Sequence, residues 1–171
     1  QRSRDPGAGY ARDFVTQMER ILPTIATNGV RVISNAGGVN PRACAAAVRA
    51  AADKLGVGDK VKIALVTGDD LLDELDALTA AGEPFSNMDT GAPLSDVRSQ
   101  VRSANAYLGM KSIVDALDQG ATIVITGRVT DTGLTLGPLV HEFGWSYDDW
   151  DKVAAGTIAG HILECGAQSS G

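Results

Sequence analysis

The sequence has few cysteines and no long apolar run, and both shortages limit what the protein can be. Cys44 and Cys165 are the only cysteines in 171 residues. Their spacing provides no disulfide framework, which suits a reducing compartment. No apolar stretch is long enough to span a bilayer, and the polar N-terminus does not resemble a signal peptide. We therefore expect a cytoplasmic protein with no membrane partner.

The sequence also has fewer basic than acidic residues. Lysine and arginine together number 15 against 21 aspartate and glutamate residues, so the formal net charge is −6. A nucleic-acid backbone favours a basic face, so we expect no nucleic-acid partner. A small anionic ligand is compatible with this charge, because a helix N-terminus can bind one locally.

Three familiar motifs are absent. No dinucleotide-binding fingerprint and no Walker loop occur, and the lack of a dinucleotide fingerprint favours lyase or hydrolase chemistry over redox chemistry. No Gly-x-Ser-x-Gly elbow occurs, so a serine hydrolase of the usual α/β type is not supported.

The sequence contains buried, β-branched runs that alternate with amphipathic segments. Strands are predicted near residues 30–35, 61–67, 104–108 and 121–126. Strands that alternate with helices indicate right-handed crossovers and a mostly parallel sheet. Apolar, unalternating strands fit a sheet covered on both faces. The predicted fold class is α/β, a mostly parallel sheet with helices on both faces and Rossmann-like layering without a dinucleotide fingerprint.

Capping and breaking residues predict where the helices begin and end. Pro23 should end the first helix, and Asn40 should cap the second, with Pro41 at its first position. Asp69 can cap the third. Residues 95–103 are predicted as a helix, and residues 82–93 as a loop.

Two further predictions concern the C-terminal part. The helix over residues 130–143 should be interrupted at Gly137-Pro138. The last helix should open at Ser146 and bury an apolar stripe. The members of that stripe are Trp150, Val153, Ala154, Thr157, Ile158, His161, Ile162 and Cys165.

The sequence opens at Gln1 without an initiator Met and stops directly after this last helix. Both ends are typical of cuts inside a larger protein. We therefore predict a single α/β domain over residues 1–171 that is an incomplete fragment of a longer protein.

Glycine and small polar residues follow all four predicted strands. The segments are 34–40, 68–70, 107–109 and 127–131. Ligands of parallel α/β sheets bind beyond the carboxyl ends of the strands. The sequence therefore predicts a site at this edge.

The turn at Gly37-Gly38 leads into a helix whose first amides suit a phosphate or carboxylate. The alternative is a tight turn that binds nothing. Asn35 and Asn40 could orient a carbonyl or amide of a substrate, although Asn40 is equally placed to cap the helix.

Arg128 directly follows a buried strand, where its guanidinium could clamp a carboxylate or phosphate. The alternative is an ion pair with Asp131 or Asp69. Asp69 and Asp70 could serve acid–base or Mg²⁺ roles, although helix capping is the favoured interpretation of Asp69.

His161 and Cys165 lie four residues apart on the last helix, but no third metal ligand is evident. A hydrogen-bonded core histidine and a structural cysteine are the favoured interpretation, so no metal site is predicted.

Five long blocks of the sequence resemble successive blocks of the acyclic terpene utilisation (AtuA-like) family. They are RDPGAGYARDFV, RVISNAGGVNPRACA, SANAYLGMKSIVDAL, TGRVTDTGLTLGPLVHEFGW and AAGTIAGHILECGAQSSG. The resemblance spans nearly the whole chain, in order, and is weakest over residues 57–98. It implies a catabolic protein for acyclic terpenes such as citronellol and geraniol, whose intermediates travel as CoA thioesters.

From these observations we expect an enzyme that acts on a CoA-linked branched acid by lyase or hydrolase chemistry. The expected catalytic residues are Asp69, Asn35 and Arg128, with Gly37, Gly38 and Asn40 at the binding surface. No covalently bound cofactor is expected beyond the CoA moiety of the substrate. We also expect a homo-oligomer or a part of a larger assembly. The alternative is a non-catalytic module that binds or organises other enzymes of the pathway.

Overall fold

A computed structural model describes residues 7–170 of the chain. Residues 1–6 and 171, on which the prediction of a fragment partly rests, lie outside the described residues. In chain order the elements are α1 Arg12–Asn28, β1 Val32–Ser34, α2 Pro41–Lys54, β2 Ile63–Val66, α3 Leu75–Ala80, α4 Lys111–Asp118, β3 Ile123–Thr126, α5 Gly133–Phe143 and α6 Trp150–Cys165. Short 3₁₀ turns lie at Gly58–Lys60, Leu94–Asp96, Arg98–Gln100 and Gly166–Ser170.

The sheet has three parallel strands in the order β1-β3-β2. Ile123 of β3 pairs with Val32 on one side and Ile63 on the other. The α/β class and the parallel pairing of three predicted strands are therefore confirmed. The fourth predicted strand, at 104–108, is wrong, because this segment makes only isolated bridges at Asn105 and Leu108. The Rossmann-like layering stays a prediction, since three strands do not establish it.

Successive side chains of β3 enter different hydrophobic clusters. Ile123 and Ile125 pack among buried side chains of α1 and α2, such as Met18 and Val48. Val124 packs with the α4 side chains Ile113 and Leu117. Because neighbouring residues of a strand point to opposite faces, helices cover both faces of the sheet. The central strand is fully buried as a result.

Two prolines predicted to break helices lie inside them instead. Helix α1 continues past Pro23 to Asn28, and α5 is not interrupted at Pro138. Pro23 is exposed, while Ile25 beyond it is buried against the core. Val140 beyond Pro138 is likewise buried. Burial of these later side chains offsets the backbone hydrogen bond that each proline removes.

Helix α6 buries a different face from the predicted one. Its buried residues are Gly156 and Gly160, and a Cβ atom placed on Gly160 would lie 2.8 Å from the carbonyl oxygen of Thr132. These glycines let α6 approach α5 closely. Most of the predicted stripe therefore faces outward, and its members Trp150 and Ile158 are 73% and 63% exposed. Val153 is the exception that packs, partly buried, against the cluster of Leu136 and Val140.

The remaining boundary predictions divide between right and wrong. Asn40 does cap α2, because its side chain accepts from the Ala43 N–H at 3.3 Å. Residues 95–103 form two 3₁₀ turns rather than a helix, and Val97 stays 49% exposed with little apolar surface to pack on. Ser146 does not cap α6, since its hydroxyl donates to Asp148 at 2.6 Å.

Among residues 7–170, no helix has the length and apolar character needed to cross a membrane. Cys44 and Cys165 are both free thiols.

Candidate functional site

The Gly37-Gly38 turn is packed tightly against the carboxyl end of the central strand. A Cβ atom on Gly37 would lie 2.4 Å from the Thr126 carbonyl oxygen, and one on Gly38 would lie 2.8 Å from the Gly9 carbonyl oxygen. Gly38 also has φ of +53°, a conformation that side chains disfavour. Both positions therefore need glycine for the turn itself, whether or not a ligand approaches.

Much of the hydrogen-bonding capacity of this turn is used within the protein. The Gly38 N–H donates to the Asn35 carbonyl at 3.1 Å, and the Val39 N–H donates to the Gly9 carbonyl at 2.9 Å. The Asn40 N–H donates to the Gly37 carbonyl at 2.9 Å. These amides brace the start of α2, so any anion here would depend on side chains as well as on the helix N-terminus.

The two asparagines of the turn are placed differently. Asn40 uses both ends of its amide, because Oδ1 caps α2 and Nδ2 donates to the Ala8 carbonyl at 2.9 Å. Asn35 is half-buried, and no hydrogen bond joins its side chain to another residue within 7–170. The Asn35 amide is therefore the one more open to a ligand.

Asp69 is not the predicted helix cap, since α3 begins only at Leu75. It is instead buried, 3% exposed, three residues beyond the end of β2. Oδ2 accepts from the Arg128 backbone N–H at 2.8 Å and from Asn105 Nδ2 at 3.0 Å. The favoured interpretation from sequence was wrong because these two partners lie 59 and 36 residues away along the chain.

The segment around Asn105 bridges the ends of β2 and β3. The Ala106 N–H donates to the Asp69 carbonyl at 2.8 Å, and the Leu108 N–H donates to the Arg128 carbonyl at 3.2 Å. This segment, which forms no strand, thus fixes the positions of Asp69 and Arg128 relative to each other.

Arg128 makes neither of the ion pairs considered from sequence within the described residues. Its guanidinium lies over the ring of Tyr107, with Cζ 4.8 Å from the ring centroid, and Nη2 donates to the Tyr107 hydroxyl. Both side chains are exposed. The positive charge therefore stays available at the carboxyl edge of the sheet.

Two cavities at this edge are lined by four of the six predicted site residues. One, of about 510 Å³, is lined by Gly9, Tyr10, Ala11, Asn35, Ala36, Gly38 and Val39. The other, of about 140 Å³, is lined by Val39, Asn40, Pro41, Arg42, Thr67, Gly68, Asp69 and Asp70. Val39 lines both, so the two are adjacent. Arg128 lines neither, and Gly37 lies beneath the turn against Thr126.

Two residues of this region, Arg42 and Asn105, were missed from the sequence, while Tyr107 lay in the predicted segment 107–109 but was given no role. Arg42 lines the smaller cavity from the first turn of α2, two residues beyond the last position considered. Asn105 and Tyr107 contact Asp69 and Arg128. Arg42 could have been found by extending the inspected segment into the helix. The partners of Asp69 carry no local signal, because their contacts span distant parts of the chain.

The other titratable pair does not form a site in residues 7–170. His161 is exposed rather than in the core, so the favoured interpretation of it was wrong. Cys165 Sγ lies 3.4 Å from Glu164 Oε2, and that hydrogen bond raises the pKa of the Cys165 thiol. A raised pKa disfavours the reactive thiolate. No group of three potential metal ligands occurs among these residues.

Comparison with known proteins supports the resemblance seen in the sequence. The model of the acyclic terpene utilisation family protein AtuA matches residues 1–171. No curated protein and no solved structure matches the chain. The family match covers the whole sequence, including the turn after β1 and the segment after β3. The chain belongs to the acyclic terpene utilisation family AtuA.

Proposed function

We propose that this protein takes part in acyclic terpene catabolism by acting on a CoA-linked branched acid. Family membership supports the pathway. The observation that carries the ligand class is the pair of adjacent cavities at the carboxyl edge of the sheet, lined by Asn35, Asn40 and Asp69. This edge is where parallel α/β sheets bind ligands.

Each predicted residue has a part in this proposal. Gly37 lets the turn approach Thr126 and Gly38 lets it approach Gly9, so that the α2 N-terminus faces the ligand. Asn35 donates to a carbonyl or amide of the substrate, and Arg128 attracts a carboxylate or phosphate. Asp69 fixes the Arg128 backbone and, with Asn40, lines the smaller cavity.

The proposed chemistry is lyase or hydrolase chemistry at the thioester-bearing acid, with no cofactor beyond the CoA moiety of the substrate. Donors that face a developing oxyanion stabilise it, and this is commonly a large contribution in acyl chemistry. The proposal includes a cytoplasmic location, a homo-oligomer or larger assembly, and a single domain over residues 1–171.

The test is calorimetric titration of the full-length protein with free CoA and a series of branched acyl-CoA thioesters. Asn35→Ala should raise the Kd by about three- to tenfold, because it removes a hydrogen bond worth roughly 1 kcal/mol. Asn28→Ala is the matched control, since Asn28 is exposed at the end of α1. If no thioester binds, or if Asn35→Ala behaves like the control, the proposal is wrong.

A second candidate function is a non-catalytic module that organises other enzymes of the pathway. The observation in its favour is the outward apolar face of α6. Its largest exposed side chains are Trp150, Ile158, Ile162 and Leu163, at 53–73%. Exposed apolar surface of this extent is typical of interaction sites. This function predicts no thioester binding in the titration above, together with loss of assembly when Ile158 is replaced by lysine.

A further inference from the structure

Arg128 is balanced differently from Arg98 and Arg31, which both pair with carboxylates. Arg98 donates to both carboxylate oxygens of Asp76, at 2.7 and 3.0 Å, and Arg31 pairs with Glu142. Arg128 has no carboxylate within ion-pair distance among residues 7–170, although the chain carries 21 acidic residues. Its side chain contacts Tyr107 instead.

Tyr107 is itself held firmly, because hydrogen bonds fix the backbone on both sides of it. The preceding residue, Ala106, donates to Asp69, and the following residue, Leu108, donates to the Arg128 carbonyl. The Leu108 carbonyl in turn accepts from the Thr130 N–H at 2.9 Å. The Tyr107 backbone is thus tied to the same strand end as the arginine that its side chain contacts.

We infer that Tyr107 is a positioning residue that holds the Arg128 guanidinium ready to bind a carboxylate or phosphate group of the ligand. This inference rests on the proposed function for the identity of the ligand, but its geometry does not. The guanidinium lies at the hydroxyl end of the ring, with Cζ 4.8 Å from the ring centroid, and the hydroxyl accepts from Nη2.

The remaining guanidinium donors keep their planar, fork-like arrangement, which matches two oxygens of one anion. A long side chain that is already ordered loses less conformational freedom when it binds. Tyr107 therefore increases affinity without touching the ligand.

The test uses two probes, inorganic pyrophosphate and a branched acyl-CoA thioester, each titrated calorimetrically into the full-length protein. Tyr107→Leu and Arg128→Lys should each raise the Kd for pyrophosphate by about tenfold, and Tyr107→Phe by about threefold. Tyr147→Phe, at an exposed tyrosine elsewhere, is the matched control. Each variant is first shown to melt like the parent.

The double variant separates positioning from a general structural role. If Tyr107 acts through Arg128, adding Tyr107→Leu to Arg128→Lys should change the Kd no further. Fully additive effects, an unchanged Kd in Tyr107→Leu, or pyrophosphate binding that does not depend on Arg128 would each overturn the inference. Pyrophosphate binding with the expected pattern, but without thioester binding, would instead refute only the proposed substrate.

Discussion

Replacing Asp69 tests whether the carboxyl edge of the sheet depends on a single buried side chain. Asp69→Ala leaves the Arg128 N–H and the Asn105 amide without their acceptor at a site that is only 3% exposed. Each unsatisfied buried donor costs about 1–3 kcal/mol. We therefore expect the free energy of unfolding to fall by about 3 kcal/mol.

Asp69→Asn separates the hydrogen bonds from the charge. The amide oxygen can still accept at the Oδ2 position, while the amide nitrogen lies near Gly127, where a Cβ atom would be 2.4 Å from Asp69 Oδ1. This variant should lose about 1 kcal/mol. Asp59→Ala, at an exposed aspartate, is the control and should change stability by less than about 0.5 kcal/mol.

The assay is urea denaturation followed by circular dichroism, with a thermal melt of the same samples. A loss of 3 kcal/mol corresponds to a fall in Tm of about 6–12 °C for a chain of this size. If Asp69→Ala melts like Asp59→Ala, Asp69 does not hold the strand ends together. Its role would then be confined to the ligand.

Three further predictions concern other parts of the molecule. Gly37→Ala should lower the free energy of unfolding by about 1–3 kcal/mol in a urea melt, because its Cβ would clash with the Thr126 carbonyl, whereas Gly109→Ala meets no atom and should not. Burial raises the pKa of the Cys44 thiol to about 11, so between pH 9 and 11 this thiol ionises in the unfolded chain but not in the folded one. The free energy of unfolding, measured by urea melts, should therefore fall over this range by up to about 1.4 kcal/mol per pH unit. A Cys44→Ala variant with the same pH dependence would contradict this. Ile158→Lys should reduce self-association measured by sedimentation velocity, and equal sedimentation of parent and variant would exclude the α6 face as a contact between copies.

Local patterns were enough to predict the parallel strands and the start of α2. The four residues of β3 are apolar or β-branched and fully buried, so burial and propensity agree. Asn40 followed by proline is a signal confined to neighbouring residues. Elements of this kind need no information from distant parts of the chain.

The helix predictions were wrong where a tertiary contact outweighed a local signal. Pro23 disfavours a helix locally, but burial of Ile25 beyond it keeps α1 intact. In α6 the apolar stripe was predicted to be the buried face. The buried residues are instead Gly156 and Gly160, which allow a closer approach to α5 than any larger side chain would. A hydrophobic pattern alone cannot predict that the glycine face of a helix is buried in preference to its apolar face.

For the candidate site, sequence reasoning selected segments but not the contacts among their side chains. The rule that ligands bind beyond the carboxyl ends of parallel strands selected the segments that hold Asn35, Asn40, Asp69 and Arg128. The rule does not say which side chains make contact. Asp69 accepts a hydrogen bond from Asn105, which lies in a segment that forms no strand. That segment also brings Tyr107 to Arg128, and so leaves a positive charge unpaired by any carboxylate of residues 7–170 in a chain of net charge −6. An arginine held by an aromatic ring keeps its charge for a ligand, whereas one held by a carboxylate, like Arg98, does not.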